Sequence, residues 1–127
     1  MRSVLLFLLL VATNASAEWT LMKRDDEISI YMDFATIRRS GDMAKAWELQ
    51  DFTQPKRLAD ESPYLSAKVL WEYDCADERE RIVAIQQFAG QMGGGKIGWT
   101  YHDSPMKWAP IAPGSVAVEL WKRACRK

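Results

Sequence analysis

The 127-residue chain has one histidine, two cysteines and no long apolar run after its first dozen residues. Each scarcity closes a class of chemistry. His102 has no second histidine and no free thiol to join it, so the usual zinc and nucleophile–base sets cannot be assembled around it. An exposed histidine at a strand end is the expectation. Cys75 and Cys125 stand far apart with no Cys-x-x-Cys, which excludes a local redox motif. No later stretch approaches the ~20 apolar residues of a membrane-spanning helix. Charge is balanced, with Lys+Arg 17 against Asp+Glu 17, whereas a dedicated nucleic-acid binder carries a marked basic excess. Repeats, low-complexity tracts and an internal linker are also missing, so a single domain is expected.

What is present at the start reads as an export signal. Met1-Arg2 is a short positive segment, Val4 to Ala12 is unbroken apolar sequence, and Ala15-Ser16-Ala17 has the small-x-small pattern of signal-peptidase cleavage. Residues 1–17 are therefore expected to be removed after Ala17, leaving 18–127 as one domain in the bacterial periplasm or outside the cell. No cysteine follows the apolar run, so no lipobox and no lipid anchor are expected. The remaining 110 residues can bury a real core; with Arg2 gone they carry 16 basic against 17 acidic side chains. Two cysteines in an exported domain are expected to pair, and a Cys75–Cys125 disulfide would join the middle of the chain to its last three residues.

Most of the domain reads as strand. Glu18 to Lys23 precedes the polar turn Arg24-Asp25-Asp26, and Ile28, Ile30, Met32 and Phe34 then alternate with Ser29, Tyr31 and Asp33, the period of a half-buried strand. Arg38 to Asp42 is a turn cluster, Met43 to Phe52 a third strand, and Thr53 to Pro63, with two prolines, a loop. In the fourth strand Leu65, Ala67, Val69, Trp71, Tyr73 and Cys75 share one parity, which places Cys75 on the apolar face. Arg79 to Gly90 and Lys96 to His102 supply two more strands around a glycine-rich turn. After Pro113-Gly114 the period changes. Ser115 is an N-cap candidate, Ala117, Leu120, Trp121 and Ala124 form a helical stripe, and Cys125 lies beside it. The economical arrangement is α+β, with about six strands and a C-terminal helix laid on the sheet's apolar face and pinned by the disulfide.

Several motifs weigh less than they first suggest. Gly90 to Lys96 satisfies GxxxxGK, but Ile97 replaces the Ser or Thr that ligates Mg²⁺ and a strand, not a helix, follows; a glycine-rich hairpin is expected. Asp25-Asp26-Glu27 lacks the spaced ligands of a calcium loop and reads as a solvated turn. Glu72, Asp74 and Glu78 form no recognisable acid–base pair. No metal and no cofactor are expected. Trp99, Tyr101 and Trp108 are expected to be mostly core. Arg38-Arg39, Lys56-Arg57 and Lys122-Arg123 with Arg126-Lys127 are three basic clusters. Sulfated glycans or acidic matrix proteins bind such clusters when they gather on one surface, which linear sequence does not show.

The stretch Ile30 to Phe52, IYMDFATIRRSGDMAKAWELQDF, resembles the signature of the surface-adhesin protein E family. Asp74-Cys75 with Arg79 and Arg81, Met92-Gly93, Trp108, Pro113-Gly114-Ser115 and Cys125 follow in the same order, so the resemblance covers essentially the whole domain. It implies a six-stranded antiparallel sheet with a C-terminal helix tethered to its concave face through Cys75 and Cys125. It also implies adhesion, binding of host matrix or serum proteins, and a dimeric form. No ligand-binding residue can be carried over. The function expected is a non-enzymatic, adhesin-like envelope module that recognises a protein or glycan ligand through its exposed sheet face. The alternative is a periplasmic accessory or inhibitor of another envelope protein.

Overall fold

The computed structural model describes residues 18–127; the expected export signal lies outside the described residues. Among the described residues, eight strands form one antiparallel sheet: β1 (Thr20–Arg24), β2 (Ile28–Met32), β3 (Arg38–Ser40), β4 (Met43–Arg57), β5 (Pro63–Asp74), β6 (Arg79–Phe88), β7 (Ile97–Tyr101) and β8 (Ala109–Pro110). The six expected strands make the main path, in the order β1-β2-β4-β5-β6-β7; short β3 and β8 extend it beside β4 and β6. A single helix, α1 (Val116–Cys125), follows.

Residue parity decides which face α1 covers. Ala44 pairs with Tyr73 and Ala46 with Trp71, so the helix-facing sides of β4 and β5 coincide. Leu120, Trp121, Ala124 and Cys125 pack there against Ile30, Met32, Ala44, Ala46 and Tyr73. Ala44 and Ala46 are both under 2 % exposed; their small side chains let the helix approach the sheet closely. Two bonds then fix its position. Cys75 and Cys125 form a disulfide, and the Trp121 indole N–H donates to the Asp74 carbonyl at 2.7 Å. A buried indole that finds an acceptor keeps its apolar burial without leaving an unsatisfied donor.

The opposite face has its own smaller packing centre. Leu49, Ser66 and Phe88 are buried there beneath the Gly90–Gly95 loop, which contains a 3-10 turn at Gln91–Gly93. The Ser66 hydroxyl donates to the Gly90 carbonyl at 2.6 Å and accepts from the Gly93 N–H at 2.9 Å. The Met92 N–H donates to the Asp51 carboxylate at 2.8 Å. These donors of the GxxxxGK stretch are thus spent within the fold instead of facing an anion. Gly93 has φ +73°, and a Cβ there would come within 2.7 Å of the Lys68 side chain.

Three local expectations need correction. Thr53 to Pro63 is not all loop: β4 continues to Arg57 and β5 begins at Pro63. Lys56 pairs with Tyr64 and Arg57 with Pro63 beyond a register shift after Asp51. Pro55 falls inside that irregular stretch, where a missing N–H breaks no ladder bond. The Arg38–Ser40 segment is a strand pairing with Met43 to Lys45, closed by Gly41 at φ +57°, a conformation glycine adopts freely. Ser115 does stand at the N-cap, but its hydroxyl donates back to the Ala112 carbonyl at 2.6 Å instead of capping a helical N–H.

The disulfide closes a 50-residue separation, for which chain-entropy reasoning gives about 4 kcal/mol. The Cys75→Ala/Cys125→Ala protein is expected to lose roughly 2–4 kcal/mol in urea unfolding. An unchanged midpoint would refute the tethering role.

Candidate functional site

With α1 covering the end of the sheet near Ala44 and Tyr73, the rest of the same face is left to polar and aromatic side chains. Glu48 lies between Met32 of β2 and Val69 of β5 and is 4 % exposed. Its carboxylate accepts the Trp71 indole N–H. Across β5, Glu80 pairs with Tyr73 and Ile82 with Trp71. The Tyr73 hydroxyl is buried without a partner among the described residues. Sequence reading missed Glu48, although its even parity with Ala44 and Ala46 marks it as inward-pointing.

Beyond this polar centre the face ends in a cleft. It has a volume of about 960 Å³ and is lined by the β4–β5 hairpin tip, including Leu58 and Tyr64, and by Gln87, Ile97, Gly98 and Trp99 of β6 and β7. A register shift between Gln86 and Phe88 sets two β7 residues, Gly98 and Trp99, against the single Gln87, the geometry of a bulge that re-aims side chains. Gly98 keeps the wall open, because a Cβ there would lie 3.1 Å from Leu58. Trp99 stacks on Tyr101 with ring centroids 6.2 Å apart and is still 45 % exposed, beside Ile97 at 49 %. The Gln87 amide oxygen is buried without a protein partner among the described residues. An apolar concavity with a few placed polar groups is the usual form of a binding site.

Other sequence-flagged residues have structural work. Trp108 lies under two guanidinium groups, 4.9 Å from Arg79 and 4.3 Å from Arg81, which themselves pair with Asp74 and Glu72. The expectation that Trp99, Tyr101 and Trp108 are mostly core is overturned: Trp99 faces solvent, and none of the three is among the buried core residues. Trp108 is half-buried and clamps its loop. His102 is exposed at the end of β7. The Asp25 carboxylate accepts N–H groups of Glu27 and Ile28 within its own turn. Glu78 is exposed, away from any acid–base partnership with Glu72 or Asp74, whose carboxylates are committed to arginines.

Burial raises the Glu48 pKa from 4.5 to about 7, against the opposing hydrogen bond from Trp71; burial also raises Glu80. A carboxyl with a raised folded pKa favours the folded state while protonated. Its contribution is whole below about pH 4.5 and is lost as pH rises through 7. Asp74 has the opposite sign: its hydrogen bond from Arg79 lowers the pKa, so its contribution disappears only in acid. Glu48→Gln is expected to be more stable than the parent at about pH 8 by roughly 3 kcal/mol and to match it below about pH 4. Urea midpoints across pH check this; a variant less stable at both pH values would contradict it.

A family model described as surface-adhesin protein E matches residues 19–126. Solved structures share the architecture. Crystal form II of Haemophilus influenzae protein E aligns with a TM-score of 0.68 and 12% identity, covering 90% of this chain and 91% of that one. Another H. influenzae protein E structure gives 0.66 at 12% identity, covering 90% and 88%. Protein E from non-typeable H. influenzae gives 0.63 at 10% identity, covering 87% and 76%. At such identities the structural likeness establishes the fold alone. No curated protein sequence matches the chain. The family model runs from the residue before β1 to the residue after α1, and on that match the chain belongs to the surface-adhesin protein E family.

Proposed function

We propose that this protein is a non-enzymatic, adhesin-like binding module of the bacterial envelope, exported through residues 1–17, that takes a protein or glycan ligand in the cleft at the far end of the helix-bearing face. Family membership supports the adhesin-like, exported role and a ligand outside the cell. One observation carries the choice of surface: Trp99 exposes an indole beside Gln87, whose buried side-chain amide oxygen has no partner among the described residues. Exposed large aromatics next to unspent hydrogen-bonding groups are what recognition surfaces use, because the ring contributes area and the polar atom contributes orientation. The Trp99–Tyr101 stack also holds the indole in place before a ligand arrives, which lowers the ordering cost of binding. The cleft walls come from two hydrogen-bonded strand pairs, β4–β5 and β6–β7, so the site is held by the sheet itself.

Trp99→Ala and Ile97→Ser are expected to weaken saturable binding to the cognate matrix protein or envelope polysaccharide by about tenfold or more, with an unchanged melting curve. An immobilised panel of such ligands, probed with protein spanning residues 18–127, provides the measurement. Absence of saturable binding across the panel would remove this reading. Co-purification with an envelope enzyme instead would favour an accessory or inhibitor role.

A further inference from the structure

The main path of the sheet ends in β1 on one side and β7 on the other, and the two end strands are built differently. β1 carries Lys23 and Arg24, its pairing with β2 shifts register between Leu21 and Lys23, and Met22 packs into the core that α1 closes. Charge, irregular pairing and cover are the devices that keep an edge strand from pairing with another chain. β7 reads Ile97-Gly98-Trp99-Thr100-Tyr101, with neither charge nor proline. Residues 97–100 are all exposed. Two of the four exposed large apolar side chains among the described residues lie here, Ile97 at 49 % and Trp99 at 45 %.

In an antiparallel ladder an edge strand turns the N–H and C=O of every second residue away from its neighbour. Among the described residues, no backbone group of Ile97 to Tyr101 bonds outside the β6 ladder. The chain after Tyr101 does not fold back along β7; the Met106 N–H bonds to the Ile82 carbonyl, which returns the chain to β6. The bulge at Gly98–Trp99 interrupts the edge once, and Thr100 and Tyr101 pair in regular register with Gln86 and Ile85. Ile85 stands across from Val69 and Val69 from Glu48, so Tyr101, and Trp99 stacked on it, belong to the helix-bearing face. Charge at this edge is one-sided. Lys96, just before β7, and Arg57, at the hairpin tip, both line the cleft. Neither has a carboxylate within ion-pair distance among the described residues. Arg57 is held by the Glu61 carbonyl at 3.0 Å, and the carboxylate of Asp60, the acid in the lining, accepts the Ser62 N–H at 3.0 Å.

We infer that the ligand is a polypeptide segment that joins the sheet as an extended strand along the outer edge of β7, with a side chain against Trp99 at the cleft mouth and an acidic residue near Lys96 and Arg57. This rests on the cleft reading and narrows it from protein or glycan to protein. A glycan's hydroxyls can enter the cleft, but they do not reproduce the paired donor and acceptor that an extended backbone presents about every 6.8 Å. In strand addition the backbone bonds supply affinity and alternate side chains supply selectivity. The buried Gln87 amide oxygen, without a partner among the described residues, favours a side chain that brings a donor, as tyrosine does.

The probes are capped hexapeptides that alternate threonine with tyrosine or valine and carry one terminal glutamate. Comparisons are the same peptides with lysine for glutamate, versions N-methylated at odd or at even residues, and hyaluronan hexasaccharide. Oxidised protein spanning 18–127 is expected to bind the glutamate peptides, and binding is expected to slow amide exchange about tenfold or more at alternate residues of β7, read by NMR. One N-methylated series is expected to lose binding and the other to keep it within about threefold, because an edge uses only every second N–H. Lys96→Glu is expected to cut affinity for the glutamate peptide about threefold or more and to raise it for the lysine peptide, with an unchanged melting curve. No peptide binding, equal loss in both N-methylated series, or the hexasaccharide bound in preference to every peptide would each overturn the inference. Protection of β7 that rises with protein concentration in the absence of peptide would make a second copy the occupant and overturn it as well. Binding lost in Trp99→Ala but giving no β7 protection in the parent would leave the cleft reading standing and remove strand addition. Unchanged peptide affinity in Trp99→Ala would remove both.

Discussion

The end of β5 is the point on which the architecture turns. There Cys75 bonds to Cys125, and the carbonyl of Asp74 receives the Trp121 indole N–H. The Asp74 carboxylate accepts N–H groups from Ala76 and Asp77 and pairs with Arg79, so the same residue shapes the turn into β6. Arg39 adds the β3–β4 hairpin through the Cys125 carbonyl. A domain of about a hundred residues with only one helix has limited apolar surface to bury, and covering part of one sheet face is all that α1 can do. A covalent bond at this point keeps that limited contact in register.

Because the helix is short and pinned at one end, the two ends of the sheet have different surfaces. Under α1 the face is alanine, methionine and tyrosine packed dry. Past it come Glu48 and Trp71, a buried acid and its donor, and then the open cleft at the hairpin tip. The polar centre separates the structural end from the binding end. It also makes stability pH-dependent, since a carboxyl raised toward 7 loses its preferred neutral form near physiological pH. At the pinned end the Arg39 guanidinium joins β3 to the end of α1 through the Cys125 carbonyl.

Much of this was legible in the residue order. Parity along Leu65 to Cys75 and the Leu120-Trp121-Ala124 stripe placed both cysteines at the same interface, because strand and helix periods act locally and leave a direct mark. Features that depend on pairing between distant segments left no such mark. Pro55 looked like a strand terminator, but the register shift between Asp51 and Lys56 absorbs it. Arg38 to Ser40 looked like a turn because polar residues fill it; only its ladder with β4 makes it a strand. Trp99 looked like core material, and a bulge opposite Gln87 turns it outward. The contact of Arg39 with the Cys125 carbonyl depends on the tertiary meeting of β3 with α1, which no local pattern marks.

The central claim is that the Cys75–Cys125 bond fixes α1 and the β3–β4 hairpin beside it while the cleft is held independently by strand pairing. Amide hydrogen exchange on oxidised and reduced protein under native conditions tests this directly. Reduction is predicted to release protection in α1 and β3 while the central β5–β6 pairing and the β6–β7 pairing beside Gln87 keep theirs. Retained protection in α1, or loss of protection in β6 and β7 together with it, would contradict the account.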